Sequence, residues 1–279
     1  NIKDFQSYLN SHLSIYLIST LQSDLFSPDF KKQACGIKTL SDLIIDPSKS
    51  FEHPGLLECS DLIIGYAASR LVDGNPAVIS KCFELTDKYL NLMLENNKFL
   101  LSEEADYILS ALITRIGDSK DSYRKYCQSI LNSIIKLYPI SSVFGHLIIG
   151  LDAKASKVRS ESLNAINNII QSESITLNTL PNFSKLCMGV AKVISDRDSA
   201  SRIASLNFFS ILYNQVGDRV YDYTAQIGSK EQVLIRERIK RLPKPDLNKT
   251  FVVSSDQQQQ INDNPTSPVA VINNSNHFE

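Results

Sequence analysis

Histidines, cysteines and paired carboxylates are the side chains that most often carry catalysis or bind metals, and here they are dispersed. His12, His53, His146 and His277 have no carboxylate or cysteine at ligand spacing. His146 lies between Gly145 and Leu147 in an apolar helical run, where a satisfied core or part-exposed histidine is the expected reading. Glu103 and Glu104 follow Ser102 at a helix start, so Ser102 is expected to cap and the acids to complement the helix dipole. Cys35, Cys59, Cys82, Cys127 and Cys187 form no C-x-x-C pair, and an odd count without close pairs fits a reducing compartment. No glycine-rich phosphate loop or nucleophile elbow occurs. No residue set supports an enzyme, and no metal or cofactor is expected.

What recurs instead is charge at turns. Ile194-Ser-Asp-Arg-Asp-Ser-Ala-Ser-Arg202 runs from an apolar residue through an Asp, a second charge and a short polar turn to an Arg. Ile116-Gly-Asp-Ser-Lys-Asp-Ser-Tyr-Arg124 repeats the pattern, and Leu151-Asp-Ala-Lys-Ala-Ser-Lys-Val-Arg159 is a variant. Val72-Asp-Gly-Asn-Pro-Ala-Val-Ile79 is a weaker copy. Self-similarity with a period of a few tens of residues marks a solenoid.

The elements that must carry these turns are helices. Apolar spacing predicts a first pair from His12–Phe26 and a helix over Ala34–Ile44, separated by the Ser27-Pro28-Asp29 turn. Further pairs are predicted at Asp61–Val72 with Pro76–Leu94, Glu103–Ile116 with Lys120–Tyr138, Ser142–Leu151 with Ser156–Ser172, and Phe183–Ile194 with Ala200–Tyr213. Val220–Ile227 and Lys230–Arg241 close the series. Gln33, Ile79, Arg124, Arg159, Arg202 and Ile235 fall at equivalent positions, 46, 45, 35, 43 and 33 residues apart. Three residues after each of the first five comes a small side chain, Gly36, Cys82, Cys127, Ser162 and Ser205, as close helix packing requires. Arg238 breaks the rule, which suits a terminal capping repeat with a polar outer face. The fold class is therefore all-α, an α-solenoid of six HEAT-like pairs over residues 1–241. Residues 242–279, rich in Pro, Gln, Asn and Ser, read as a disordered linker or tail.

With 43% hydrophobic residues the chain has a core to build, and a net charge of -1 gives no global field for nucleic acid. No apolar run approaches the ~20 residues of a membrane span, and no signal-peptide pattern is present. Because the sequence opens on Asn1 rather than Met, a larger parent chain is expected.

In such an array the turns within the pairs line up along one edge. This ridge would carry Asp29, Phe30, Lys31 and Lys32, then Asp73, Gly74 and Asn75, then Asp118, Ser119 and Lys120. Lys154 to Lys157 and Asp196 to Asp198 follow. The Asp residues are expected to build the turns. Arg124, Arg159 and Arg202 are open between an Asp-pairing ladder and an outward role. Lys120, Lys154, Lys157 and Arg197 are either a solvated face or a surface for an acidic protein.

Several of these segments, in order, resemble a TOG domain of the ch-TOG type of microtubule polymerase. They are Ile116-Gly-Asp-Ser-Lys120, Arg124-Lys125, Leu137-Tyr-Pro139, Lys154-Ala-Ser-Lys157-Val-Arg159 and Ile194-Ser-Asp-Arg-Asp-Ser199. Leu206-Asn-Phe-Phe209, Val216-Gly-Asp-Arg-Val220 and Glu237-Arg-Ile-Lys-Arg241 continue the series, which is most like the fourth TOG array. The resemblance implies binding of αβ-tubulin through Phe30, Lys31, Asp73, Asn75, Lys120, Lys154, Lys157, Arg197 and Arg202. It implies a monomeric module of a larger multi-TOG regulator of microtubule dynamics, in the cytoplasm at centrosomes, spindle poles and microtubule ends, with no nucleic acid or membrane partner. The alternative is a generic HEAT scaffold that binds another protein or spaces its neighbours. One departure stands out. TOG arrays that bind tubulin well usually present a Trp in the first turn; this chain has none, and Phe30 takes the place. Weak or context-dependent tubulin affinity is therefore expected.

Overall fold

The computed structural model describes residues 2–45, 55–72, 74–173, 175–177 and 180–245. The expected tail from residue 246 onward, the interruption at 46–54 and Asp73 lie outside the described residues.

Thirteen helices fill the described chain, and no strand is found among the described residues. They are α1 (Ile2–Leu13), α2 (Ser19–Leu25), α3 (Phe30–Ile45), α4 (Ser60–Leu71), α5 (Pro76–Glu95), α6 (Ser102–Arg115) and α7 (Asp121–Leu137). Then come α8 (Ile140–Leu151), α9 (Ser156–Ser172), α10 (Phe183–Lys192), α11 (Ser199–Val216), α12 (Val220–Tyr223) and α13 (Ser229–Lys240). From α2 onward they form six antiparallel pairs in two layers. First helices pack on first helices through α4, α6, α8 and α10. Second helices pack closely through α3, α5 and α7, and again through α9, α11 and α13, while α6 packs against α9 at the join.

The predicted pairs are present, with differences at the two ends. Residues 12–26 are not one helix. Instead α1 stops at Leu13, the chain turns, and α2 starts at Ser19. Side chains claim the carbonyls that would continue α1. Gln22 Nε2 donates to the Asn10 carbonyl at 2.7 Å, and Ser14 Oγ donates to the Ser11 carbonyl at 2.6 Å. Such bonds compete with the helix ladder. Helix α1, which the periodicity missed, packs on α4 and reaches α6 through Phe5 and Tyr107, whose rings are 5.1 Å apart. At the other end α12 is a single turn after a 3-10 segment, Gly217–Arg219, rather than a helix through Ile227.

The small-residue rule is a packing rule. Gly36, Cys82, Cys127, Ser162 and Ser205 are all buried. A Cβ on Gly36 would stand 3.0 Å from the Leu25 backbone nitrogen, so α2 and α3 touch main chain to main chain. Ser205 Oγ donates to the Val190 carbonyl of its own pair at 2.7 Å. Arg238 Nε and Nη2 reach back to Ser210 Oγ at 3.2 Å and Asn207 Oδ1 at 3.0 Å on α11.

Tyrosines tie successive parts together. Tyr66 donates to the Leu25 carbonyl at 2.8 Å, Tyr89 to Leu56 at 2.6 Å, and Tyr123 to Pro76 at 2.9 Å. A buried tyrosine hydroxyl must find such a partner. Burial pushes the thiols of Cys59, Cys127 and Cys187 up to about 12, which leaves them protonated packing groups.

One glycine is demanded by a close approach. A Cβ on Gly117, just before the third turn, would lie 2.6 Å from Val158 N and 2.8 Å from Lys157 C at the start of α9. Gly117→Ala is expected to lower stability by about 1–3 kcal/mol. Gly74→Ala, where a Cβ meets nothing within 4 Å, is expected to be tolerated. Thermal unfolding of the two variants checks the contrast.

Candidate functional site

The turns between paired helices run along one edge of the array, and three of them are built alike. The residue that ends the clamp is an arginine one turn into each second helix. Arg124 Nη1 donates to the carbonyls of Asp118 and Ser119 at 2.6 and 3.0 Å. Arg159 Nη1 donates to Ala153 and Lys154 at 2.7 and 2.9 Å. Arg202 Nη1 donates to Asp196 and Arg197, both at 2.8 Å. In the first turn Gln33 Nε2 makes the equivalent bond to the Ser27 carbonyl. Each clamp satisfies turn carbonyls that the helices cannot reach.

An acidic or amide side chain closes the other side of the turn. Asp29 accepts from Lys31 N at 2.9 Å, Asn75 from Ala77 N at 2.9 Å, Asp118 from Lys120 N at 3.0 Å and Asp196 from Asp198 N at 2.9 Å. The turn-building role expected for the Asp residues is therefore observed. The N-cap position of α11 belongs to Asp198, whose Oδ2 accepts from Ser201 N at 2.8 Å, and Lys120 stands at the N-cap position of α7. At α6 the expected cap Ser102 is the first helical residue. Buried Glu104 takes over, accepting from Leu101 N at 2.7 Å and from Ser60 Oγ of the preceding pair.

Of the three arginines, Arg159 alone also makes the expected rung. Its Nε and Nη2 meet Asp196 Oδ2 and Oδ1 at 2.5 and 2.9 Å, joining the fourth turn to the fifth. Arg124 meets a carboxylate in its own helix, Asp121 Oδ1 at 2.9 Å; Ser156 stands at that place before Arg159, which takes its carboxylate from the next repeat. This bidentate bond, together with the Asp198 N–H, holds the Asp196 carboxyl below its ordinary range. Hydrogen bonds from Ser201 do the same for Asp198.

The remaining charge divides by what it touches. Phe30 opens α3 and is 43% exposed. Lys31, Lys154 and Arg197 are exposed and form no ion pair among the described residues. Lys157 is paired with Glu161 at 2.7 Å. Lys120 is exposed, but its ammonium sits 4.7 Å from the centroid of the Tyr123 ring and 3.3 Å from the Tyr123 hydroxyl. Asn75 caps α5, and Arg202 is committed to its own turn. Tyr123 and Glu161 were missed in the sequence, although their spacings from Lys120 and Lys157, three and four residues along a helix, place each pair on one face. His146 Nε2 lies 3.0 Å from Asp106 Oδ1 across α8 and α6, and no cluster able to hold a metal is present among the described residues.

This arrangement of helix pairs and edge turns is found in solved TOG domains. The TOG domain of Zyg9 from C. elegans aligns with TM-score 0.76 and 27% identity over 85% of this chain and 86% of that one. A TOG structure concerned with TOG-tubulin binding specificity, microtubule dynamics and mitotic spindle formation aligns with TM-score 0.74 and 26% identity, covering 86% and 88%. The array has the fold of these TOG domains. No family model matches the chain. Its curated relatives are ch-TOG family proteins: Drosophila mini spindles is 29% identical over 225 residues, and zygote defective protein 9 of C. elegans is 26% identical over 241. MOR1 of Arabidopsis is 23% identical over 232 residues. The match covers 80% of this chain but 10% of mini spindles, and 86% of this chain but 16% of the zygote protein.

A carboxyl with a lowered folded value contributes stability above the ordinary aspartate pKa of about 3.9 and loses it as pH falls through the folded value. The array is thus expected to lose stability below about pH 4, and Asp196→Asn to flatten that loss. Arg159→Ala, which strands the turn carbonyls and Asp196 together, is expected to cost about 2 kcal/mol at neutral pH. Denaturant melts across pH 2–7 measure both.

Proposed function

We propose that this array binds αβ-tubulin through the ridge of its intra-repeat turns, as one module of a multi-TOG regulator of microtubule growth. The observation that carries the reading is the division of labour among the ridge cations. Arg124, Arg159 and Arg202 are consumed in holding the turns, while Lys31, Lys120, Lys154 and Arg197 stand on those turns without a carboxylate partner among the described residues. Rigid turns that present uncommitted cations in a row suit an acidic partner, by steering and by complementarity. Tubulin is strongly acidic. The mini spindles relationship and the likeness to a structure concerned with TOG-tubulin binding specificity support the same partner.

Phe30 supplies the apolar contact of the first turn and Asn75 holds the start of α5 at the second; Asp73, the other second-turn residue of the proposed site, lies outside the described residues. Lys157 contributes once its pairing with Glu161 is exchanged for the partner. Arg202 acts on binding through the fifth turn it holds rather than by direct reach. The module's role is binding without catalysis. Its place is the microtubule cytoskeleton, in the cytoplasm at centrosomes, spindle poles and growing ends, and its sequence fits the fourth position of a TOG series.

Purified array mixed with unpolymerised αβ-tubulin is expected to form a complex whose affinity falls with salt. Lys154→Glu with Arg197→Glu is expected to weaken it about tenfold or more with little change in melting temperature, because neither side chain packs on its neighbours. Phe30→Trp is expected to tighten it. Absence of a complex even at low salt would leave the generic scaffold as the better reading.

A further inference from the structure

We infer that Tyr123 is a positioning residue of the ridge: it fixes the ammonium of Lys120 and couples the third turn to the second. The inference rests on the tubulin-binding reading only for what Lys120 is positioned to meet.

The geometry is a relay of polar contacts across two repeats. The Tyr123 hydroxyl has one proton, and it is directed to the Pro76 carbonyl at 2.9 Å, at the start of α5. Its lone pairs are then free to accept from Lys120 Nζ at 3.3 Å, so the three groups form a single donor chain from ammonium to phenol to carbonyl. The ring face adds attraction for the same cation, 4.7 Å from its centroid. Tyr123 cannot itself swing away. It is 5% exposed, and its ring packs on Phe83 with centroids 5.2 Å apart.

Lys154 and Arg197 have no such support, so Lys120 differs from them in kind. A lysine ordinarily loses rotamer freedom when it binds, and the loss opposes binding. At Lys120 much of that ordering is already done in the free array. The ammonium is also held without a carboxylate, so its charge stays available. Because the relay ends on Pro76, next to the cap Asn75, the position of Lys120 is set relative to the second turn as well as its own.

The test uses the array with Tyr123→Phe, Lys120→Met and the double variant. Nitrogen NMR of the lysine ammonium groups in the array alone is expected to show Lys120 more ordered than Lys154, and to show that order lost in Tyr123→Phe. In titrations with unpolymerised αβ-tubulin, Tyr123→Phe is expected to weaken binding about threefold to tenfold, and to cause no further loss in the Lys120→Met background. Equal loss in both backgrounds would mean that Tyr123 acts only on the stability of the fold and would overturn the inference. So would a Lys120 ammonium as mobile as that of Lys154. If the array does not bind tubulin while Lys120 proves ordered, the tubulin reading fails and the positioning stands, since the NMR measurement does not involve tubulin.

Discussion

The structure depends on turn carbonyls that the helices cannot satisfy. A tight link between antiparallel helices leaves main-chain oxygens pointing into the bend, and a part-buried carbonyl without a donor costs about 1–3 kcal/mol. Arg124, Arg159 and Arg202 each answer with one guanidinium nitrogen on two carbonyls, and Gln33 does so with its amide. The cost of ordering a long side chain is met in four of the six repeats, inside the domain. The turn it holds is then rigid before any partner arrives, which spares that ordering on binding. Where the guanidinium has capacity left, as in Arg159, it reaches the next repeat and links two turns.

Much of this was legible in the residues. The solenoid could be read because each helix carries a strong apolar stripe and each pair a recurrent turn, and the equivalences from Gln33 to Arg202 fall at one structural position. The small side chains after them are the places where backbones meet. What could not be read was the hydrogen-bond partner of each polar group. Arg124, Arg159 and Arg202 share a position and a clamp, yet Arg159 alone crosses to the next repeat: Ser156 stands where Arg124 has the carboxylate of Asp121, and Asp196 lies within reach only in three dimensions. The first repeat was misread for a related reason. Leu13, Leu17 and Leu21 keep helical spacing and are all buried, while Gln22 and Ser14 take the Asn10 and Ser11 carbonyls that would carry the ladder onward.

The ridge shows the same limit. Its composition suggested one basic surface, and the structure resolves that surface into groups with different duties. Arginines serve the backbone, Lys157 is paired along its helix, Lys120 is cradled by an aromatic ring, and Lys31, Lys154 and Arg197 are unattached. The missing Trp weighs on the first turn alone. Phe30 sits where the larger ring would be, on a helix start secured by Asp29 and Gln33, so the loss bears on contact area rather than on fold.

Gly117 has one more consequence. Close packing of the second helices is interrupted between α7 and α9, and at that interruption the segment before the third turn rests main chain against main chain on the start of α9. Side chains can shift by rotamer, but here peptide groups meet with no compliant layer between them. The two halves of the array are therefore set like blades on a fixed rivet. The distance from the third turn to the fourth is thereby set by main chain, and a partner gripping both must conform to that gauge.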